Sequence, residues 1–147
     1  MEPVNGDESD QEPRAGIHEA GLKRPAPLTA AVLAGAVFEG EIRRALQGLN
    51  VTLECTGLSG VLLARIESAC PEIVIVDLDI TPRPNELAIF ARSLRPDVCI
   101  VSAQWYWSDH EPPTFADAVV HKPARRDEWF PALARIELSI ANRCSFR

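Results

Sequence analysis

The stretch PEIVIVDLDITP, residues 71–82, constrains this chain more than any other. Ile73, Val74, Ile75 and Val76 are four consecutive apolar, β-branched residues. A strand exposed on one face alternates apolar and polar side chains, whereas a strand buried on both faces does not. The run therefore predicts a central strand with cover on both sides, as in a parallel sheet. It ends directly on two carboxylates, Asp77 and Asp79, with Pro82 and Pro84 close behind. A buried strand that delivers an acid to its own carboxyl end needs an explanation.

The surrounding pattern supplies the frame. LTAAVLAG, from Leu28, reads as a first buried strand, and Phe38, Ile42, Ala45, Leu46 and Leu49 recur at helical spacing. Val51–Cys55 alternates like a strand, and Leu58, Leu62, Ile66 and Ala69 form the next helical stripe. After Ile73–Val76 a third stripe, Leu87, Phe90, Ala91 and Leu94, stops before Pro96, because proline disfavours helix at the residue that precedes it. Val98–Val101 and Ala118–His121 are two further strands, and Trp129, Leu133, Ile136 and Ile140 make the last helix. Strands alternating with helices imply right-handed crossovers and a parallel sheet. The expected class is α/β, a flavodoxin-like three-layer sandwich with a five-stranded parallel sheet of order 2-1-3-4-5. One unit is irregular: AQWYWSDHEPPTFAD, residues 103–117, contains Pro112 and Pro113. The fourth helix is therefore expected to be short or missing, with at most one turn capped by Thr114 and Asp117.

Residues 1–27 hold four prolines, six acids and three bases and few large apolar groups, so a disordered acidic tail is expected there. The domain is expected over 28–141, with a short tail at 142–147. A chain of 147 residues, 46% hydrophobic, supports one core. No apolar stretch approaches the length of a membrane span. The polar, acidic start argues against a secretory signal. The net charge of −6 argues against nucleic-acid binding through the whole surface. Cys55, Cys70, Cys99 and Cys144 stand far apart with no metal spacing, which fits reduced thiols in a cytoplasmic protein.

In such a sheet, ligands meet the carboxyl ends of the strands near the switch point. Three side chains are expected at that rim: Asp77 after strand three, Ser102 after strand four, and Lys122, followed by Pro123, after strand five. Singly each has an ordinary explanation as a turn, cap or surface residue. Their joint placement is the informative signal.

With these residues in place, the chain resembles the receiver domain of bacterial two-component response regulators (the CheY-like family). PEIVIVDLDITP is similar to the phosphoacceptor segment, PDVCIVSAQ to the Ser/Thr segment, and AVVHKPARRDEWFPAL to the Lys-Pro segment and final helix. The resemblance spans roughly residues 28–141. It implies that Asp77 accepts a phosphoryl group, that Ser102 and Lys122 contact the phosphate, and that Pro123 sets the turn, often through a cis peptide. It also implies that the Asp79 backbone carbonyl reaches Mg²⁺. The chain departs from the pattern where the family ends strand one with a metal-binding acidic pair. In AVLAGAVFEGEIRRAL those positions are Ala34 and Gly35, and Glu39, a turn into helix one, is the nearest acid to replace them. Val119, three residues before Lys122, replaces the family's switch aromatic. VDLDITPRPNELAIFARSLRPD is also similar to the receiver-like domains of antiterminator regulators, without their RNA-binding helices.

The resemblance implies a single-domain signalling protein that works by protein–protein contact in a phosphorelay and is not an enzyme. Its partner would be a sensor histidine kinase, a phosphotransfer protein or another regulator, and self-pairing into a homodimer is compatible with it. The alternative is a pseudo-receiver that binds without phosphorylation. A distant one is a hydrolase using Ser102, His121 and Asp77, since no glycine-rich phosphate loop or nucleophile elbow is present. His110 and His121 are more simply structural than metal ligands. Arg125 and Arg126 form a small basic spot. Of Trp105, Tyr106 and Trp107, at least one should be exposed if the others are buried, because neighbours in extended chain point opposite ways. They either mark a partner surface or fill the space of the missing helix.

Overall fold

The computed structural model describes residues 26–108 and 113–145. The expected acidic tail up to residue 25, together with His110 and Pro112, lies outside the described residues. The strands are β1 (Leu28–Leu33), β2 (Val51–Thr56), β3 (Ile73–Asp77), β4 (Cys99–Trp105) and β5 (Ala118–Lys122). The helices are α1 (Ala36–Ala45), α2 (Ser59–Ala69), α3 (Pro84–Leu94) and α4 (Phe130–Ser145), the last preceded by a 3-10 turn at Arg126–Trp129. All pairings are parallel, in the order β2-β1-β3-β4-β5. This is the expected 2-1-3-4-5 sheet.

Alternation along the strands divides the core into two layers. Ala30, Val32, Ile73, Ile75, Val101 and Val120 face one side, under α1 and α4, with Phe38, Ile42 and Ile136 from those helices and Trp129 from the 3-10 turn. Ala31, Leu33, Val74, Val76 and Ile100 face the other, under α2 and α3, with Leu62, Ile66, Leu87 and Ala91. Every residue of β3 is buried, which accounts for its unbroken apolar run. β2 is an edge strand with alternating exposure, hence its alternating sequence. Pro84 opens α3, where its missing N–H is harmless, and α3 ends at Leu94 as Pro96 requires.

Three boundaries differ from expectation. β4 runs on to Trp105, so Ser102 lies within the strand and not after it. The extension is held by backbone pairing, since Leu78 N–H donates to the Ala103 carbonyl at 2.8 Å and Tyr106 N–H to that of Lys122 at 2.9 Å. The final helix reaches Ser145, past residue 141, and Trp129 belongs to the 3-10 turn before it.

No helix links β4 to β5 among the described residues of the crossover, as the prolines require. A polar clasp takes its place. Asp117 caps no helix: its Oδ2 accepts from the buried Ile100 N–H at 2.8 Å and from Arg92 at 3.3 Å, while Oδ1 accepts from Arg135 at 3.1 Å. Arg92 also donates to the Val98 and Phe115 carbonyls at 3.1 and 2.7 Å. Phe115 packs against the α2–α3 layer. Trp105, Tyr106 and Trp107 do not fill that space, because all three are exposed.

Candidate functional site

β3 ends on Asp77, and the chain then turns sharply at the rim. The Thr81 hydroxyl donates to the Asp77 carbonyl at 2.6 Å and the Ile80 N–H at 3.1 Å. Asp77 is only 3% exposed, yet both its carboxylate oxygens are engaged. Oδ1 accepts from the Asp79 N–H at 3.0 Å, and Oδ2 from Lys122 Nζ at 2.7 Å. Lys122 arrives from the end of β5. It is also buried, and its ammonium reaches the Asp79 carboxylate at 2.9 Å. One cation thus bridges two acids. The Trp105 ring lies 4.4 Å from Nζ and the Phe38 ring 5.5 Å, so aromatic faces complete the ammonium's surroundings. The Trp105 backbone N–H in turn donates to Asp79 Oδ2 at 3.2 Å.

Burial pushes the Asp77 carboxyl above the ordinary carboxylate range, opposed by the bonds from Lys122 and from the Asp79 N–H. The turn beyond Lys122 carries a cis Lys122–Pro123 peptide, and α1 braces it through Glu41, which accepts from the Ala124 N–H at 3.1 Å.

The structure therefore brings Asp77, Asp79, Lys122 and Pro123 together. Ser102 is placed differently. It is fully buried, its Oγ has no hydrogen-bond partner, and it shares the strand face of Ile100, whereas Asp77 shares that of Ile75. Glu39 turns to Arg43, at 3.0 Å on the exposed side of α1. Asp79 enters the cluster through its carboxylate, a role the sequence reading missed by assigning it only a backbone carbonyl. Its spacing two residues beyond a strand-terminal acid was the available signal. Phe38 and Trp105 were missed as neighbours of Lys122, since only the fold joins the start of α1 to the ends of β4 and β5.

The donor set does not suit Mg²⁺, which seeks several oxygen ligands in near-octahedral array. Ala34 and Gly35, at the end of β1, carry no side-chain oxygen, and the two remaining acids already share an ammonium. No group of three His, Cys, Asp or Glu side chains among the described residues is arranged to hold a metal.

No protein-family model matches the sequence, and no curated protein matches it. Solved structures do. A CheY-like receiver domain protein from Methanospirillum hungatei aligns at TM-score 0.63 with 20% identity, over 80% of this chain and 99% of that one. A two-component transcriptional regulator AraC from Clostridium phytofermentans aligns at 0.65 with 15% identity, over 81% and 98%. NtrX from Brucella abortus, solved with ADP, aligns at 0.63 with 16% identity, and there the chain covers 78% of itself but only 27% of that protein. The sheet order, the two-sided helical cover and these alignments together show that the chain has the receiver-domain fold of two-component response regulators.

Proposed function

We propose that this chain is a receiver-like signalling module that acts by protein–protein contact in a two-component setting and does so without phosphorylation of Asp77. The observation that carries this reading is the Lys122 bridge between Asp77 and Asp79. Phosphoryl transfer to a carboxylate needs an oxygen free to attack and a metal ion that bridges and neutralises the incoming phosphate. Here the internal ammonium neutralises the carboxylate, and the extended β4 lays Trp105 over it. Ser102, the expected phosphate contact, is buried on the other strand face. The module's partner would be a sensor histidine kinase, a phosphotransfer protein or another regulator. Among the described residues no helix is long and apolar enough to cross a membrane.

The test is direct. The protein is incubated with Mg²⁺ and acetyl phosphate, or with Mg²⁺ and beryllofluoride, and followed by intact mass and tryptophan fluorescence. No change is expected in either readout. A mass gain of one phosphoryl group that disappears in Asp77→Asn would instead make Asp77 a phosphoacceptor, with Lys122 its phosphate contact.

A further inference from the structure

Half of the exposed large apolar side chains among the described residues lie at one end of the molecule. Val37 stands in the first turn of α1, Leu58 before α2, Ile80 in the turn after β3, and Trp105, Tyr106 and Trp107 at the end of β4. All follow the carboxyl ends of strands, on the rim that holds Asp77. Val37 is 81% exposed, Tyr106 67% and Trp107 59%, so water covers a surface of the kind that partners bury. The aromatic group is already ordered. The Trp105 and Trp107 rings stack at 4.5 Å with 9° between their planes, and Tyr106 meets Trp107 edge-on at 4.9 Å. Prior order of this kind lowers the entropy lost on binding.

Charge narrows the occupant. Asp77 and Asp79 face a single ammonium, which leaves an excess negative charge when both are ionised. Lys122 and the Trp105 backbone N–H both converge on Asp79 Oδ2. Asp79 is the more accessible of the two acids, with its side chain about a quarter exposed. A partly exposed carboxylate next to Trp105, whose ring stacks on Trp107, favours a cation that tolerates contact with aromatic faces. A guanidinium does so, because it pairs with carboxylates and stacks on rings, whereas a strongly hydrated metal ion does not.

We propose that this aromatic rim is a docking surface for a protein segment that presents an arginine between apolar side chains, the arginine on Asp79 and Trp107 and the apolar residues on Tyr106, Ile80 and Val37. The inference rests on the reading of the chain as a protein-contact module and names the surface and the partner's chemistry.

The full chain is titrated with a short synthetic peptide in which arginines alternate with leucines, and with its twin carrying glutamates for arginines, by tryptophan fluorescence. The arginine peptide is expected to bind saturably and at least tenfold more tightly than the twin. Trp107→Ala should weaken it about tenfold, the effect of one well-placed contact, without lowering the melting temperature, since Trp107 is a surface residue. Asp79→Asn should abolish the preference for arginine over glutamate. Equal binding of the two peptides, no binding of either, or a Trp107→Ala protein that binds like the unmodified chain would each overturn the proposal. So would sedimentation showing the rim already covered in a dimer that Trp107→Ala dissociates. Each of these results is separable from the acetyl phosphate experiment, which reads the chemistry of Asp77 and not the occupant of the rim.

Discussion

Replacing Lys122 with methionine is expected to destabilise the protein by ~3–5 kcal/mol at neutral pH, the usual cost of removing one partner from a buried ion pair. Asp77 would keep the Asp79 N–H on Oδ1 but lose the ammonium on Oδ2, at a position almost fully covered from water. The pH dependence has a definite sign. Burial raises the Asp77 pKa in the folded state above its unfolded value. The folded state then holds its proton more tightly than the unfolded state, so stability falls as pH rises from the ordinary carboxylate value through the raised folded value, and levels off above it. Without Lys122 the folded value moves higher and the loss extends further toward neutrality. Urea unfolding across acid to neutral pH measures this. The Lys122→Met deficit should shrink on acidification, and the double variant with Asp77→Asn should recover much of the neutral-pH loss, because the buried charge is gone. If Lys122→Met unfolds at the same urea concentration as the parent at neutral pH, the bridge does not hold the rim closed.

Asp117→Ala is expected to cost ~2–4 kcal/mol and to lower the melting temperature by roughly 10 °C. The substitution leaves the buried Ile100 N–H without its side-chain acceptor and releases Arg92 and Arg135 together. Arg135→Ala, which removes only one half-exposed partner, should cost no more than about 1 kcal/mol. Asp117→Asn should fall between them, since its amide oxygen still accepts from Ile100. Calorimetric scans of the three variants separate the contributions. An Asp117→Ala protein that melts within a degree or two of the parent would mean that the crossover is held by its backbone pairing and by Phe115 alone.

Much of the fold was legible in the residues because its signals are local. The unbroken Ile73–Val76 run required cover on both faces, the alternation of Val51–Cys55 marked a strand, and Pro96 ended a helix where it stands. Pro112 and Pro113 excluded a long fourth helix without showing what replaced it. The clasp was hidden because Asp117 meets Arg92 and Arg135 across long stretches of chain, while its nearer neighbour Thr114 suggested a cap. The end of β4 was missed for a related reason. Ser102 and Gln104 are polar and break an apolar pattern, yet they remain in the strand because parallel pairing with β3 and β5 satisfies their backbone.

The site divides in the same way. The order of elements, read from periodicity alone, placed Asp77 and Lys122 at one rim, because in a parallel sheet every strand presents the same end to the same side. The resemblance to receiver domains likewise pointed to Ala34 and Gly35 at the positions of that family's metal-binding acids, and neither has a side-chain oxygen to offer. Only the tertiary structure decided that Asp79 turns its carboxylate inward, that Glu39 turns away to Arg43, and that one lysine bridges two acids beneath Trp105. Those outcomes depend on side-chain direction and on contacts between residues far apart in the chain. They are set by which charges can be neutralised within a few ångströms once the strands have been brought side by side.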